Sequence, residues 1–252
     1  LLLLWFCNIS LYLSRTNISV AIIYMYPHDE NIEGLLLAAF YVGYCFQTIG
    51  GWLAARYGGK PVLIGAVAAW SGATLLTAAL GTSVPALFAL RVLVGLAEGC
   101  NYPSQMELVS VWVPYNERST AWSFNGTGES VGTILALLLG PLVVHAAGWR
   151  AIFLGSGAVG ILWIFLFTMF GASSPSAHPR VSPEELRLIL ASRPPRPPAV
   201  RRPWRAFARN RSFRAVVATH CCYNWSCYLG LSWTSKFFHS AYGADYSELG
   251  LL

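Results

Sequence analysis

The stretch Arg91-Val-Leu-Val-Gly-Leu-Ala-Glu-Gly-Cys-Asn-Tyr-Pro103 places two opposite charges inside an apolar run that is long enough to cross a lipid bilayer. A charge in the middle of a bilayer costs roughly 3 kcal/mol on insertion scales, so such residues usually mark a path for a substrate or an ion. One face of the predicted helix carries Arg91, Gly95, Glu98 and Tyr102. Arg91 and Glu98 are about 10 Å apart along its axis, which is too far for a direct salt bridge. They are therefore either structural residues locked to different helices or part of a polar binding face.

The composition is that of an integral membrane protein. The chain has 252 residues, of which 55% are hydrophobic and only 11% are charged, whereas soluble domains average about 25% charged residues. The net charge of +6 does not indicate a nucleic-acid partner, because ten of the seventeen basic residues lie between Arg180 and Arg214. Such clustering is typical of a loop on the cytoplasmic side of a membrane protein. The lipid bilayer is therefore the expected surrounding, and no nucleic-acid partner is expected.

Long apolar runs separated by short polar segments predict seven membrane spans and the start of an eighth. The predicted spans are 1–23, 34–54, 61–80, 86–113, 119–147, 151–170 and 213–238, and the eighth begins near residue 247. Residues 171–212 are rich in proline and arginine and are predicted to be a loop. Within it, Ser182-Pro-Glu-Glu185 has the pattern of a capped short helix that ends near Leu190. Both ends of the chain fall inside apolar runs, so we expect it to be part of a longer polypeptide.

The charges of the connections predict one consistent orientation. The turns that contain Arg56, Lys60 and Arg118 and the basic loop fall on one side, and the acidic connection 24–33 falls on the other. Positive charge collects on the cytoplasmic side, so the N-terminus and the basic loop are predicted to be cytoplasmic, or on the equivalent side of an internal membrane. This rule does not distinguish a plasma membrane from a vesicle or plastid membrane.

Several motifs occur in the order expected of one transporter family. The segment Gly-Gly-x-Leu-Ala-x-Arg-x-Gly-Gly-Lys at 50–60 resembles the signature loop of the major facilitator superfamily, although Ala55 stands at its usual acidic position. More specific motifs lie at 12–21, 40–44, 91–103, 112–119, 148–153 and 224–233. Together they resemble the anion:cation symporter family, which includes sodium/phosphate cotransporters, sialin, vesicular glutamate transporters and plastid anion transporters.

The resemblance implies an all-α integral membrane protein with the major facilitator fold, in which two six-helix bundles work by alternating access. Residues 1–170 would form the N-terminal bundle, 171–212 the cytoplasmic interbundle loop, and 213–252 the first helix and a half of a truncated C-terminal bundle. The implied function is secondary active transport of inorganic phosphate or organic anions, coupled to Na⁺ or H⁺, with no other cofactor. The rest of the C-terminal bundle would be an obligatory partner, because the site lies between bundles. We expect this part alone to be inactive.

The resemblance also implies roles for three charged residues: Arg91 and Arg15 in anion binding and Glu98 in ion or proton coupling. Two buried arginines would share one anion, because the guanidinium fork matches phosphate and carboxylate groups. Arg15 could instead pair with Glu98 or Glu129, and Glu129 is either a second coupling residue or a partner between helices. The other candidates are the lining residues Tyr12, Tyr41, Tyr44, Asn125 and Asn224 and the gating-loop residues Gly51, Arg56, Gly59 and Lys60.

Two other classes of membrane protein remain open at this point. A facilitator of a neutral solute such as a sugar would not require paired buried arginines. A seven-helix receptor would have an outward N-terminus, which is opposite to the charge pattern. An enzyme is not expected, because the sequence shows neither a nucleophile–base set nor a metal-ligand cluster.

Overall fold

The computed structural model describes residues 1–26, 30–192 and 204–242, and the regular structure in these ranges is helical. The helices are α1 (Leu2–Met25), α2 (Glu30–Tyr44), α3 (Gln47–Tyr57), α4 (Gly59–Leu80), α5 (Val84–Glu98), α6 (Asn101–Trp112), α7 (Arg118–Ala147), α8 (Trp149–Phe170), α9 (Pro183–Ala191), α10 (Trp204–Arg209) and α11 (Arg211–Tyr242). The first seven predicted spans all fall on these helices, and the predicted eighth span lies outside the described residues.

Within the described ranges, five helical segments are long and apolar enough to cross a membrane: Glu30–Tyr57, Gly59–Leu80, Val84–Trp112, Tyr115–Ala147 and Trp149–Phe170. Helix α1 is not among them, although its 24 residues would extend about 36 Å at 1.5 Å per residue. It packs against α7 and α8 and more lightly against α2, α4 and α11. Most of its residues between Leu4 and Ile22 are buried, including the polar ones. Helix α1 can be less apolar than these five segments because its polar side chains face protein instead of lipid.

Two spans that the sequence predicted as continuous helices are broken where they meet. The second span divides at residues 45–46 into α2 and α3, and the fourth divides at residues 99–100 into α5 and α6. A Cβ atom at Gly50 would lie 2.6 Å from the Cα atom of Cys100, so only glycine permits this approach of the two backbones. The predicted polar face of the fourth span is therefore divided between two helices.

Helices α2 and α5 cross with their backbones in contact. A Cβ atom on Gly43 would collide with the carbonyl oxygen of Val92, and one on Gly95 would collide with that of Phe40. Small residues at such crossings allow helices in a membrane to pack closely. This crossing places Arg91 against the part of α2 that carries the predicted tyrosines.

Replacing Gly95 by alanine is expected to lower the stability of the bundle by about 1–3 kcal/mol, the usual cost of overpacking a tight contact. The matched control is Gly65→Ala on α4, where a Cβ atom meets nothing within 4 Å. That change should be neutral or stabilising, because alanine favours a helix over glycine by about 1 kcal/mol. Melting temperatures of the purified variants in detergent check the difference, and equal values would contradict the close crossing.

The segment between the sixth and seventh spans is more helical than predicted. Helix α9 begins as expected, with the Ser182 hydroxyl accepting a hydrogen bond from the Glu185 backbone N–H at 3.1 Å. The prediction of loop for residues 204–212 was wrong, because α10 and the start of α11 occupy this stretch. Arginine is a good helix former, so a basic sequence does not exclude a helix.

Candidate functional site

The Arg15 side chain on α1 forms an ion pair with Glu98, the last residue of α5. The Arg15 Nε atom donates to Glu98 Oε2 at 2.8 Å, and the two side chains are 4% and 0% exposed. A buried charge without a partner is costly, so each of these residues stabilises the other inside the bundle. Of the two partners that the sequence left open for Arg15, the structure selects Glu98.

Four aromatic rings surround the Arg15 guanidinium group. The Cζ atom lies 5.0 Å from the ring centroid of Tyr12, 4.9 Å from those of Phe40 and Tyr44, and 5.6 Å from that of Tyr228. A cation near an aromatic face gains about 0.5–2 kcal/mol, more when water is excluded. The Nη1 atom also donates to the Tyr228 hydroxyl at 3.4 Å. The charge of Arg15 is thus stabilised by an ion pair and four rings, although its Nη2 atom has no hydrogen-bond partner among the described residues.

Arg91 is also buried, but it forms no direct ion pair among the described residues. Only 1% of its surface is exposed, and its Nε and Nη2 atoms have no hydrogen-bond acceptor among the described residues. Its Cζ atom lies 5.9 Å from the ring centroid of Phe153. Buried polar groups normally find partners, and a buried charged donor without one costs several kcal/mol. Arg91 is therefore a buried cation with two unfilled donor positions in the described part of the chain, and Glu98 acts on it as a charge.

A small cavity of about 20 Å³ lies between Arg15 and Arg91. Its other lining residues are Ile18, Ser19, Leu37, Phe40, Tyr41 and Ser232. A cavity of this size holds about one water molecule, so the site is closed around its two cations. The Tyr41 hydroxyl lies 3.0 Å from the Ser232 hydroxyl and thereby connects α2 to α11 beside the cavity.

A larger cavity of about 610 Å³ lies at the other end of α1, between the ends of α6 and α8 and helix α9. Its lining is mostly apolar, and its ionisable side chains are Glu117, His178 and Glu185. Because no lysine or arginine lines it, it lacks the cationic donors that an anion site requires. The cavity beside Arg91 is the better candidate despite its smaller size.

The predicted lining residues divide into two groups. Tyr12 and Tyr44 lie against Arg15, and Tyr41 lines the small cavity. Asn224 is instead half-buried on α11, where its Nδ2 atom donates to the His220 carbonyl oxygen of the same helix at 2.7 Å. The position one turn later, Tyr228, is the one that reaches Arg15.

Asn125 belongs to a buried amide network that links α1, α6 and α7. Its Nδ2 atom donates to Gln105 Oε1 at 2.6 Å, and the Gln105 Nε2 atom donates to the side-chain oxygens of Asn8 and Asn101, both at 2.8 Å. The Asn8 Nδ2 atom in turn donates to the Asn125 carbonyl oxygen at 3.0 Å. Such interhelical bonds hold bundles together in a membrane. In this structure Asn125 joins helices and does not line the cavity.

The comparison with known families decides where this fold belongs. The family model described as Major Facilitator Superfamily matches residues 4–252. The chain belongs to the major facilitator superfamily. It is accordingly a multi-pass membrane protein, and the matched family and relatives are transporters, not enzymes.

Two Arabidopsis thaliana relatives confirm the resemblance to anion transporters. The chain is 32% identical over 251 residues to the chloroplastic ascorbate transporter, and this match covers 98% of the chain and 46% of the relative. It is 33% identical over 251 residues to the chloroplastic sodium-dependent phosphate transport protein 1, which covers 98% of the chain and 48% of that relative. The chain thus spans about half the length of the curated relatives that it matches.

A solved structure confirms the fold. The crystal structure of a bacterial homologue of the human lysosomal transporter Spinster, in an inward-facing and occupied conformation, matches with a TM-score of 0.74 and 21% identity. The match covers 99% of this chain and 56% of the homologue. The major facilitator fold predicted from the motifs is therefore correct.

The superfamily's signature loop lies at the α3–α4 turn. Gly58 has a φ angle of +89°, which favours glycine, and the backbone N–H of Gly59 donates to the Glu107 carboxylate at 2.9 Å. Glu107 on α6 thus supplies a carboxylate to a loop in which Ala55 stands at the usual acidic position. The Lys60 Nζ atom donates to the Gly171 carbonyl oxygen at 2.8 Å and ties the loop to the end of α8.

The other two predicted loop residues make fewer specific contacts. Arg56 is exposed, and its Cζ atom lies 5.5 Å and 5.7 Å from the ring centroids of Trp52 and Tyr57. Gly51 is half-buried, and a Cβ atom there would be 3.9 Å from the side chain of Pro103, an ordinary contact. The structure therefore shows no steric requirement for glycine at position 51.

Sequence reasoning missed three residues around Arg15 and Arg91. Phe40 is apolar and carries no chemical signal, so only the packing of α2 against α1 reveals its contact with Arg15. Tyr228 and Ser232 follow Asn224 at intervals of four and eight residues, so they share its helical face. This spacing was the available signal, and it would have placed all three residues of α11 on the side that meets α1.

Proposed function

We propose that the protein transports small anions by alternating access and that Arg91 is the principal anion-binding residue. The observation that carries this proposal is the burial of Arg91 with two guanidinium nitrogens that have no acceptor in the described part of the chain. Phosphate, carboxylate and similar oxyanions match the planar donor fork of arginine. The anion transporters among the relatives support this class of substrate.

Arg15 is the second cation of the proposed site, and its availability depends on Glu98. While Glu98 is ionised, it occupies the Arg15 Nε atom at 2.8 Å. When Glu98 takes up a proton or a metal cation, its electrostatic attraction for Arg15 weakens. An anion can then bind both arginines. After the anion leaves, the ionised carboxylate restores the pair with Arg15. This exchange couples anion movement to Na⁺ or H⁺, and no other cofactor takes part.

Entry of an anion requires the helices around the cavity to separate. The cavity of about 20 Å³ admits one water molecule, whereas an oxyanion contains several heavy atoms. The Tyr41–Ser232 hydrogen bond and the contact of Arg15 with Tyr228 join the bundle to α11 at this point. In the proposed cycle these contacts break when the site opens, and the second bundle supplies the rest of the site.

The proposed topology follows the distribution of charge. The end with Lys60, Arg118 and the basic segment before α11 would face the cytoplasm or an equivalent compartment, because positive charge collects there. The opposite end carries the α4–α5 and α7–α8 connections. Under this arrangement a substrate would reach Arg91 from one face and leave towards the other.

The test is uptake of radiolabelled ascorbate and phosphate into proteoliposomes that contain the full-length transporter to which this chain belongs. We expect uptake of at least one anion, driven by a Na⁺ or pH gradient, and no uptake of a neutral sugar. Protein-free liposomes provide the background. Transport of the sugar without transport of either anion would contradict the proposal and would support the facilitator of a neutral solute.

A further inference from the structure

Three side-chain contacts in a row join α1 to the broken fourth span. Their members on α1 lie at intervals of four and three residues, so they share one face of that helix. Their partners on the fourth span follow in descending order, as in antiparallel helices. The three contacts run from Gln105 Nε2 to Asn8 Oδ1 at 2.8 Å, from the Tyr12 hydroxyl to the Tyr102 hydroxyl at 3.4 Å, and from Arg15 Nε to Glu98 Oε2 at 2.8 Å. These contacts form the α1 ladder.

The α1 ladder has contacts on both sides of the break in the fourth span. Glu98 is the last residue of α5, and Asn101 is the first residue of α6. Between them the Cys100 backbone N–H donates to the Ala97 carbonyl oxygen, three residues earlier, at 3.0 Å. A short 3₁₀-type turn inside a helical span often marks a hinge. Because α5 and α6 are not one continuous helix, side-chain contacts help to fix their relative position.

Gln105 connects α6 to two other helices. Its side chain is 0% exposed, and its Nε2 atom donates to Asn8 on α1 and to Asn101 on α6, both at 2.8 Å. Its Oε1 atom accepts from Asn125 Nδ2 on α7 at 2.6 Å. Both N–H donors and the oxygen of this amide are therefore used. A buried polar network that is satisfied in this way makes its surroundings rigid.

Glu98 is the carboxylate that this network is placed to position. It precedes Asn101 by three residues, and the Asn101 side chain bonds to both Gln105 and Asn8, with Asn101 Nδ2 donating to Asn8 Oδ1 at 3.2 Å. Glu129, the other carboxylate predicted as a coupling residue, is half-buried on α7 and forms no ion pair in the part of the chain that the structure describes. The contacts of Gln105 therefore lead to the Arg15 ion pair through Glu98.

We infer that Gln105 is a positioning residue that keeps Glu98 within ion-pair distance of Arg15. It does so by fixing the start of α6 against α1, through Asn101 and Asn8. Without these hydrogen bonds the end of α5 would lie farther from α1, and the ion pair would lengthen. Ionised Glu98 would then compete less with an anion for Arg15, and its uptake of a cation would no longer control anion binding. This inference rests on the proposed anion transport.

The experiment measures uptake of radiolabelled phosphate and ascorbate by the full-length transporter with Gln105→Leu in proteoliposomes. Leucine is close to glutamine in volume but removes all the hydrogen bonds of the amide. We expect KM to fall roughly tenfold, as for one charged hydrogen bond that no longer competes with the anion. Accumulation driven by a Na⁺ or pH gradient should be lost, whereas exchange of internal for external anion should continue. Asn8→Leu should reproduce this result, because it removes the same contact between α1 and α6.

The matched control is Asn17→Leu. Asn17 is 3% exposed on α1, and its Nδ2 atom donates to the Ser156 hydroxyl on α8. It is thus a second buried amide that joins α1 to another helix, but it lies outside the α1 ladder. A purely structural amide should lower the melting temperature and the maximal rate without changing KM. We expect this outcome for Asn17→Leu and the fall in KM only for the ladder variants.

Gln105→Asn extends the test to a milder change, which keeps the amide on a side chain that is one methylene shorter. It should lower KM in the same direction but by less, and it decides the question if the leucine variant does not fold. A wild-type KM with normal accumulation in the folded Gln105 variants would overturn the inference, as would an equal fall in KM in Asn17→Leu. Uptake that survives Arg91→Leu would contradict the proposed function itself. Loss of uptake in Arg91→Leu with wild-type values in the Gln105 variants would refute only the positioning role.

Discussion

Arg91→Leu is expected to abolish anion uptake while leaving the bundle as stable as the wild type or more stable. The transport loss follows because an oxyanion loses its bidentate partner, and hydrogen bonds to a charged group contribute about 1.5–3 kcal/mol each. Two such bonds correspond to a loss of affinity of roughly 100-fold or more. The gain in stability follows because Arg91 is 1% exposed and its Nε and Nη2 atoms have no acceptor among the residues that the structure describes. Removing a buried charge that forms no direct ion pair in the described bundle relieves a desolvation cost.

Two other arginine variants serve as controls for Arg91→Leu. Arg15→Leu should lower the melting temperature, because it leaves Glu98 buried at 0% exposure without its cation. Arg180→Ala removes the same charge from an exposed position outside the spans and should change neither uptake nor stability. Uptake assays and thermal melts on the same preparations provide both quantities. A strong loss of stability in Arg91→Leu would instead make Arg91 a structural residue with a partner beyond the described part of the chain.

Glu98→Gln is expected to abolish accumulation of the anion against its gradient while exchange of internal for external anion continues. Glutamine has the same size and retains an oxygen that can accept from the Arg15 Nε atom, so the local packing is kept. It cannot bind or release a proton and carries no charge for Na⁺. The accumulation ratio should therefore fall to that of an uncoupled pathway.

The measurement compares uptake driven by a pH or Na⁺ gradient with counterflow in preloaded proteoliposomes. The gradient that drives the wild type and fails to drive Glu98→Gln identifies the coupling ion. The wild-type protein and a Ser130→Ala variant, which alters an exposed position of α7, serve as coupled controls. Gradient-driven accumulation by Glu98→Gln at the wild-type level would show that another residue couples transport.

Local features of the chain predicted the elements well, because helix formation in a membrane depends on local apolarity and backbone hydrogen bonding. The runs that predicted spans three, five and six correspond closely to α4, α7 and α8. Spans two and four were less accurate, since their breaks near Phe46 and Gly99 arise where the two helices touch. A contact between distant segments leaves no periodic signal in either segment.

For the candidate site too, the sequence predicted some features and left others to the tertiary structure. Arg15, Arg91 and Glu98 stand out in the sequence, because a charge in an apolar run is costly and needs a reason. Asn125 and Asn224 stand out for the same polarity, yet the structure uses Asn125 to join helices and turns Asn224 towards its own backbone. Polarity identifies residues that need a partner but does not identify the partner.

The sequence by itself determined that this is a helical membrane protein of the major facilitator superfamily, and it identified the three charged residues of the proposed site. These properties depend on apolar run length, loop charge and motif order, all of which are local. Only the tertiary structure decided that Arg15 takes Glu98 and four aromatic rings, while Arg91 lacks acceptors in the described bundle. Pairing depends on how α1, α2 and α5 pack, and the α2–α5 crossing is set by backbone contacts at Gly43 and Gly95 between residues far apart in the chain.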